Sequence, residues 1–420
     1  MLSNQFILLI LSSVIAFMMA VAIGANDVSN AVGTAVGARA ITIRQALLIA
    51  VVFEFLGAAF AGGEVSTTIA EKLYVPDAFI LESHVIIFIM IASLLASGTW
   101  LMIATYCAWP VSTTHTLLGA LILLGSITLG KESINWDKVY SIGLAWLASP
   151  IVGGLLSYGI FKVIQLGIVH QQNCSKRFFV YLSLPFFLIN MIWAFTLVNI
   201  ISKLFHIALS RRAMLVAPII LSLICYAIFF MFFYKKYKKI FIDTFVDPAG
   251  LDKAFNSFMM ITACCMAYAH GSNDIANAIG PLMAINQLLF NLPIQETTPL
   301  WVLLIGIAGV VIGLLVWGHR VIETIGNNIT ELSSSRGFAA SLATAFTVLL
   351  SSHFGYPIST THTLVGAILG VGFARGIESL NVRMIRSILL SWTITFPAGG
   401  VIALFFYIIL KYTLSSLLVF

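Results

Sequence analysis

Gly24-Ala25-Asn26-Asp27-Val28-Ser29-Asn30-Ala31-Val32-Gly33 sets a carboxylate and two amides directly behind eighteen uncharged, mostly apolar residues, Ile7 to Gly24. The same pattern returns as Gly271-Ser272-Asn273-Asp274-Ile275-Ala276-Asn277-Ala278-Ile279-Gly280, with Asp27 and Asp274 247 positions apart. A second stretch keeps that spacing. Trp109-Pro110-Val111-Ser112-Thr113-Thr114-His115-Thr116 answers Tyr356-Pro357-Ile358-Ser359-Thr360-Thr361-His362-Thr363. Composition does not produce two unrelated polar motifs at one offset. The chain reads as a duplication, and each half carries the same two polar islands in an apolar sea.

That apolar sea decides the class. The 420 residues are 60% hydrophobic and 9% charged, where a soluble protein has about 25% charged residues. Such a surface suits a lipid bilayer, so the chain is expected to be an all-α polytopic membrane protein. The net charge of +6 is then no nucleic-acid footprint, because the basic residues lie in short clusters between apolar runs and read as topology control. Lys235-Lys236-Tyr237-Lys238-Lys239 is placed in a cytoplasmic loop, and the N-terminus, with no Lys or Arg before Arg39, outside. The first apolar segment lacks the basic start of a cleaved leader and is expected to stay. Cys107, Cys174, Cys225, Cys264 and Cys265 form no C-x-x-C and read as buried free thiols.

Apolar runs suggest about 10–12 membrane segments, a helix needing about 20 residues to cross. The runs near 116–130 and 363–374 are shorter and follow directly on the two Pro-x-Ser-Thr-Thr-His stretches. A short arm on each side of such a stretch suggests two re-entrant hairpins, tolerated at that depth only inside protein or beside a watery cavity. Asn135…Trp146…Gly153-Gly154 is echoed by Asn381…Trp392…Gly399-Gly400, and Val65-x-x-Thr68-Ile69 by Val321-x-x-Thr324-Ile325 at an offset of 256. The segments near 178–234 have no counterpart. Three regions follow: a first repeat at 1–165, linking membrane segments with a basic cytoplasmic loop at 166–245, and a second repeat at 246–420. Internal repeats of this kind mark secondary transporters, whose substrate site lies near the midplane at the repeat interface.

Asp27 and Asn30, three apart, would share a helix face, as would Asp274 and Asn277. Gly280-Pro281 is expected to break the second of these helices. A carboxylate inside a membrane costs about 3 kcal/mol or more, so two at equivalent positions point to a substrate or ion site. Ser112-Thr113-Thr114 and Ser359-Thr360-Thr361 follow proline and read as helix starts. Free N–H groups and hydroxyls there attract an anion, although N-capping by Ser112 and Ser359 accounts for one hydroxyl in each. His115 and His362 are either structural donors or pH-sensing groups. The aspartates could hold a cation such as Na⁺, or accept a hydrogen bond from a protonated oxyanion, which phosphate supplies at neutral pH and sulfate does not. Anion and cation in one site offset each other's cost in low dielectric, which favours symport. An intramembrane hydrolase built on Ser112 or Ser359 fits poorly, because catalysis needs one asymmetric nucleophile and this set is duplicated.

With Gly24-Ala25-Asn26-Asp27-x-x-Asn30-Ala31-x-Gly33, His270-Gly271-Ser272-Asn273-Asp274-x-x-Asn277-Ala278-x-Gly280-Pro281 and both Pro-x-Ser-Thr-Thr-His stretches, the chain resembles the PiT family of inorganic phosphate transporters from about residue 20 to 410. The resemblance implies a homodimeric symporter of two inverted repeats in the cytoplasmic membrane, coupling phosphate uptake to Na⁺ or H⁺, with sulfate or a metal–phosphate complex as the alternative substrate. It implies a phosphate site of Asp27, Asn30, Ser112, Thr113, Thr114, Asp274, Asn277, Ser359, Thr360 and Thr361, with no cofactor. Coupling cations would sit on Asn26, Asp27, Asn273 and Asp274, with Glu54 as the family's transport-linked glutamate in the first repeat. The glutamate expected shortly after Arg336-Gly337-Phe338 is absent, and Ala339, Ala340 and Ser341 stand there instead.

Overall fold

The computed structural model describes residues 2–107, 109, 111–166, 183–205, 207–244, 248–292, 298–318, 333–376 and 382–414. Among these the chain is helical and forms no strand. The first half runs α1 (Leu2–Asn26), α2 (Val28–Gly37), α3 (Ile43–Ala61), α4 (Gly63–Glu71), α5 (Pro76–Leu81), α6 (Ser83–Tyr106), α7 (Thr113–Thr128) and α8 (Trp136–Ile164). Two helices follow, α9 (Ser183–Leu204) and α10 (Arg211–Thr244). The second half runs α11 (Pro248–Asn273), α12 (Ala276–Phe290), α13 (Leu300–Gly313), α14 (Ser334–His353), α15 (Thr360–Arg375) and α16 (Val382–Leu414). A π-helical turn, Leu314–Gly318, extends α13.

Polar residues set the starts of several of these helices. Thr42 opens α3 with a capping box, accepting from Gln45 N at 3.3 Å while Gln45 Oε1 accepts from Thr42 N at 2.9 Å. Asn135 opens α8 by accepting from Lys138 N at 3.2 Å. Seven helices among the described residues are long and apolar enough to cross a membrane. α7 and α15 are not among them. Their 16 residues each span about 24 Å, short of a hydrocarbon core of about 30 Å.

The halves pack reciprocally. α1 lies on α13 as α11 lies on α3, and α7 lies on α16 as α15 lies on α8. Glycine makes these approaches possible, since only a residue without a Cβ lets two helix backbones touch. A Cβ on Gly119 of α7 would fall 2.2 Å from Phe396 O of α16, and one on Gly366 of α15 would fall 2.2 Å from Pro150 O of α8. The short helices are therefore held by backbone contact with the long helix of the opposite half.

Three expectations are corrected. α12 runs through Pro281 without a break. Proline removes its own N–H bond and crowds the carbonyl four residues back, here that of Asn277, in the first turn of α12. Lys235–Lys239 lies within α10, not in a loop. Of the thiols, Cys265 is buried, Cys225 and Cys264 are partly so, and Cys107 is exposed; all four are free. Cys174, Asn381 and Val321–Ile325 lie outside the described residues, as does the side chain of Trp392.

Candidate functional site

Each aspartate sits where a helix is interrupted. Asp27 separates α1 from α2, and Asp274 with Ile275 separates α11 from α12. Backbone bonds hold both interruptions tight: Asp27 N donates to Ile23 O at 2.8 Å and Asp274 N to His270 O at 2.8 Å. An interruption at membrane depth exposes peptide groups that a continuous helix would use up. Against these interruptions stand the starts of α7 and α15. Ser112 caps α7 by accepting from His115 N at 3.2 Å, and Ser359 caps α15 by accepting from His362 N at 3.2 Å.

The four motifs then interlock. The Thr113 hydroxyl donates to Asp27 Oδ2, and the Thr360 hydroxyl donates to Asp274 Oδ2 at 2.6 Å. Asn30 Nδ2 crosses to Thr361 Oγ1 at 2.8 Å, and Asn277 Nδ2 crosses to Thr114 Oγ1 at 3.1 Å. Each aspartate thus binds the first threonine of the motif in its own half, and each asparagine binds the second threonine of the motif in the other half. Asn26 Nδ2 donates to Thr105 Oγ1 at 2.6 Å. Asn273, with its amide turned to suit its neighbours, donates to Ile358 O at 2.8 Å and Asp274 Oδ1 at 3.1 Å. None of the expected site residues is more than 8% exposed, so the site is enclosed. Buried acceptors remain open within it: Asp27 Oδ1 and Asn277 Oδ1 have no hydrogen-bond partner in the protein.

Glu54 is brought to the site by another residue. His270, in the last turn of α11, places Nδ1 3.1 Å from Glu54 Oε1 and Nε2 2.9 Å from Asp274 Oδ2. Two carboxylates thus share one buried imidazole, and a third, Asp27, is buried in the same interlocked site; the excess negative charge calls for cations. The hydroxyl donors and the N-termini of α7 and α15 call for an anion. The arrangement can take both together.

The sequence motifs named the aspartates, the asparagines and the Ser-Thr-Thr residues that meet here, but not Thr105, and not His270 in its role. Its signal was its place four residues before Asp274, one helical turn on the same face. Ser112 and Ser359 are engaged first as caps. His115 and His362 meet edge to face, ring centroids 4.4 Å apart, and His115 also packs on Trp146 at 4.0 Å. Ser341 stands where the resemblance expected an acid, and its hydroxyl is 2.7 Å from Thr34 Oγ1.

Comparison with known proteins identifies the family. The model of the phosphate transporter family matches residues 23–403. A candidate phosphate permease of Haemophilus influenzae is 42% identical over 97% of this chain and 96% of its own length. One of Pyrococcus furiosus is 38% identical over 94% of each chain. A solved structure of a sodium-dependent phosphate transporter superposes with a TM-score of 0.86 at 36% identity, covering 97% of this chain and all of that one.

Proposed function

This chain belongs to the phosphate transporter family, and from that premise we propose that it imports inorganic phosphate by symport with Na⁺. The observation that carries the proposal is the interlocking of four duplicated motifs into one enclosed site, with donors for an anion beside unpartnered acceptors for a cation. The 36% identical sodium-dependent transporter supports Na⁺ over H⁺.

In this reading phosphate is held by Asn30, Thr113, Thr114, Asn277, Thr360 and Thr361, with the amides at the Ser112 and Ser359 helix starts turned toward it. Asp27 and Asp274 accept the P–OH protons or hold Na⁺, with Asn26, Asn273 and Glu54 beside them. Sulfate, with no proton to donate near neutral pH, meets only repulsion from the carboxylates. The two halves are inverted repeats, α7 and α15 are re-entrant arms, and access alternates as one bundle rocks against the other. Assembly as a homodimer in the cytoplasmic membrane completes the reading and is tested by cross-linking in native membranes. His115 and His362 are the groups to replace if uptake follows a pH gradient instead.

Asp27→Asn and Asp274→Asn provide the test. Each variant is expected to insert and purify like the wild type yet lose phosphate uptake in proteoliposomes. Uptake at the wild-type rate by either one would contradict the site.

A further inference from the structure

The two helices without a counterpart in either repeat, α9 and α10, leave a cavity of about 470 Å³ against the ends of α3 and α14. Its inner wall is apolar: Phe60 of α3, Met191 and Phe195 of α9, Met214 of α10, and Phe346 and Leu349 of α14. His353, in the last turn of α14, joins that wall, with its ring 5.6 Å from Phe195 and 5.4 Å from Phe354. None of the duplicated site residues lines the cavity. Water would need about two to four polar partners to settle there, which this inner wall does not supply. Pockets of this size and lining take apolar ligands. Inside a bilayer the apolar ligand at hand is a lipid acyl chain.

The mouth of the cavity is charged. Glu64, at the start of α4, and Lys72, just past its end, both line it, with Glu64 Oε2 3.6 Å from Lys72 Nζ. A charge-assisted hydrogen bond would measure about 2.7–2.9 Å, so neither charge is satisfied by the other. Their side chains are 65% and 42% exposed, which leaves both open to a headgroup. A phosphodiester suits Lys72, and an ammonium suits Glu64. Phosphatidylethanolamine carries the two side by side, and its ammonium has N–H groups to donate. Phosphatidylcholine keeps the positive charge without an N–H, and phosphatidylglycerol brings no cation to Glu64.

We propose that this cavity is a phospholipid site, which takes an acyl chain of phosphatidylethanolamine between α9 and α14 with the headgroup across Glu64 and Lys72. The bound lipid braces a helix that also serves the transport site. α14 presents Leu349 and His353 to the cavity, while its Ser352 hydroxyl donates to the turned Asn273 amide oxygen at 3.2 Å.

Mass spectrometry of the lipid retained by the purified protein, after reconstitution in nanodiscs of equal parts phosphatidylethanolamine, phosphatidylcholine and phosphatidylglycerol and re-extraction in mild detergent, tests this. The wild type is expected to retain phosphatidylethanolamine over the other two by about threefold, the size that a half-exposed ion pair supports. Glu64→Gln is expected to remove the preference over phosphatidylcholine, and Glu64→Lys to shift it to phosphatidylglycerol. Ala61→Phe, which fills the cavity from its α3 wall, is expected to retain less lipid of every kind. A wild type that retains no lipid or all three equally, or a Glu64→Lys with the wild-type preference, would overturn the proposal. So would an Ala61→Phe that keeps its lipid but loses phosphate uptake, since the cavity would then be a path for phosphate. If Ala61→Phe is not monodisperse, the two Glu64 variants decide alone.

Discussion

Replacing Gly24 by alanine tests whether the site depends on direct backbone contact between halves. The added Cβ would lie 2.0 Å from Val310 O, 2.7 Å from Val310 C and 2.8 Å from Val310 Cα. A Cβ does not approach another non-bonded atom below about 3 Å in a packed interior, and backbone cannot swing aside as a side chain can. α1 and α13 must therefore part by about 1 Å. Gly24 lies three residues before Asp27, so the shift is passed to a site whose cross-half bonds are 2.8 and 3.1 Å long. A further 1 Å takes both beyond hydrogen-bonding distance. A misplacement of 1 Å in a positioned site costs about 10²-fold in rate. Phosphate uptake into proteoliposomes is the assay, with gel filtration to confirm that the variant is folded. Gly98→Ala in α6 is the control, because its Cβ would meet nothing closer than 3.6 Å. The expectation is about a hundredfold loss for Gly24→Ala, a comparable loss for Gly271→Ala, and near wild-type uptake for Gly98→Ala. Wild-type uptake by Gly24→Ala would refute the contact argument.

Thr360→Val keeps shape but removes the donor to Asp274 Oδ2; a thermal melt should show a loss of about 1.5–3 kcal/mol, as for a hydrogen bond to a charged group, with weaker phosphate binding by calorimetry. Thr113→Val should behave alike at Asp27. Ser359→Ala removes the cap of α15 and should cost about 0.5–2 kcal/mol, read as a lower melting temperature with uptake reduced less than in the aspartate variants. Trp146→Phe loses the bond from Nε1 to Pro357 O at 2.9 Å and should cost about 1 kcal/mol, with its main effect on thermal stability.

The aspartates, asparagines and threonines of the site were legible because they recur at one offset, and recurrence of buried polar groups has few causes other than a shared task. The short helices after Ser112 and Ser359 were legible from run length and from the hydroxyl cap. The Glu54–His270 contact was not, because it joins residues 216 positions apart and the internal offset changes from 247 to 256 between them. Pairing at the 247 offset hides that Val310 is the counterpart of Glu54; the 256 offset of Val65 and Val321 gives that pairing, and the contacts of Gly24 and Gly271 agree with it. Pro281 misled for a local reason. A proline early in a helix removes one hydrogen bond and crowds the carbonyl of the preceding turn, and packing on every side of α12, where Asn277 to Gln287 are all buried, outweighs that cost. Lys235–Lys239 misled because charge suggests a loop, whereas lysine is a good helix former and simply extends α10 beyond its apolar part.

Radiolabelled phosphate uptake into proteoliposomes, driven in turn by an inward Na⁺ gradient, a pH gradient and neither, each with excess unlabelled sulfate, tests the central claim most directly. Na⁺-driven uptake that sulfate does not reduce is the predicted result. Uptake driven by the pH gradient alone, or abolished by sulfate, would contradict it.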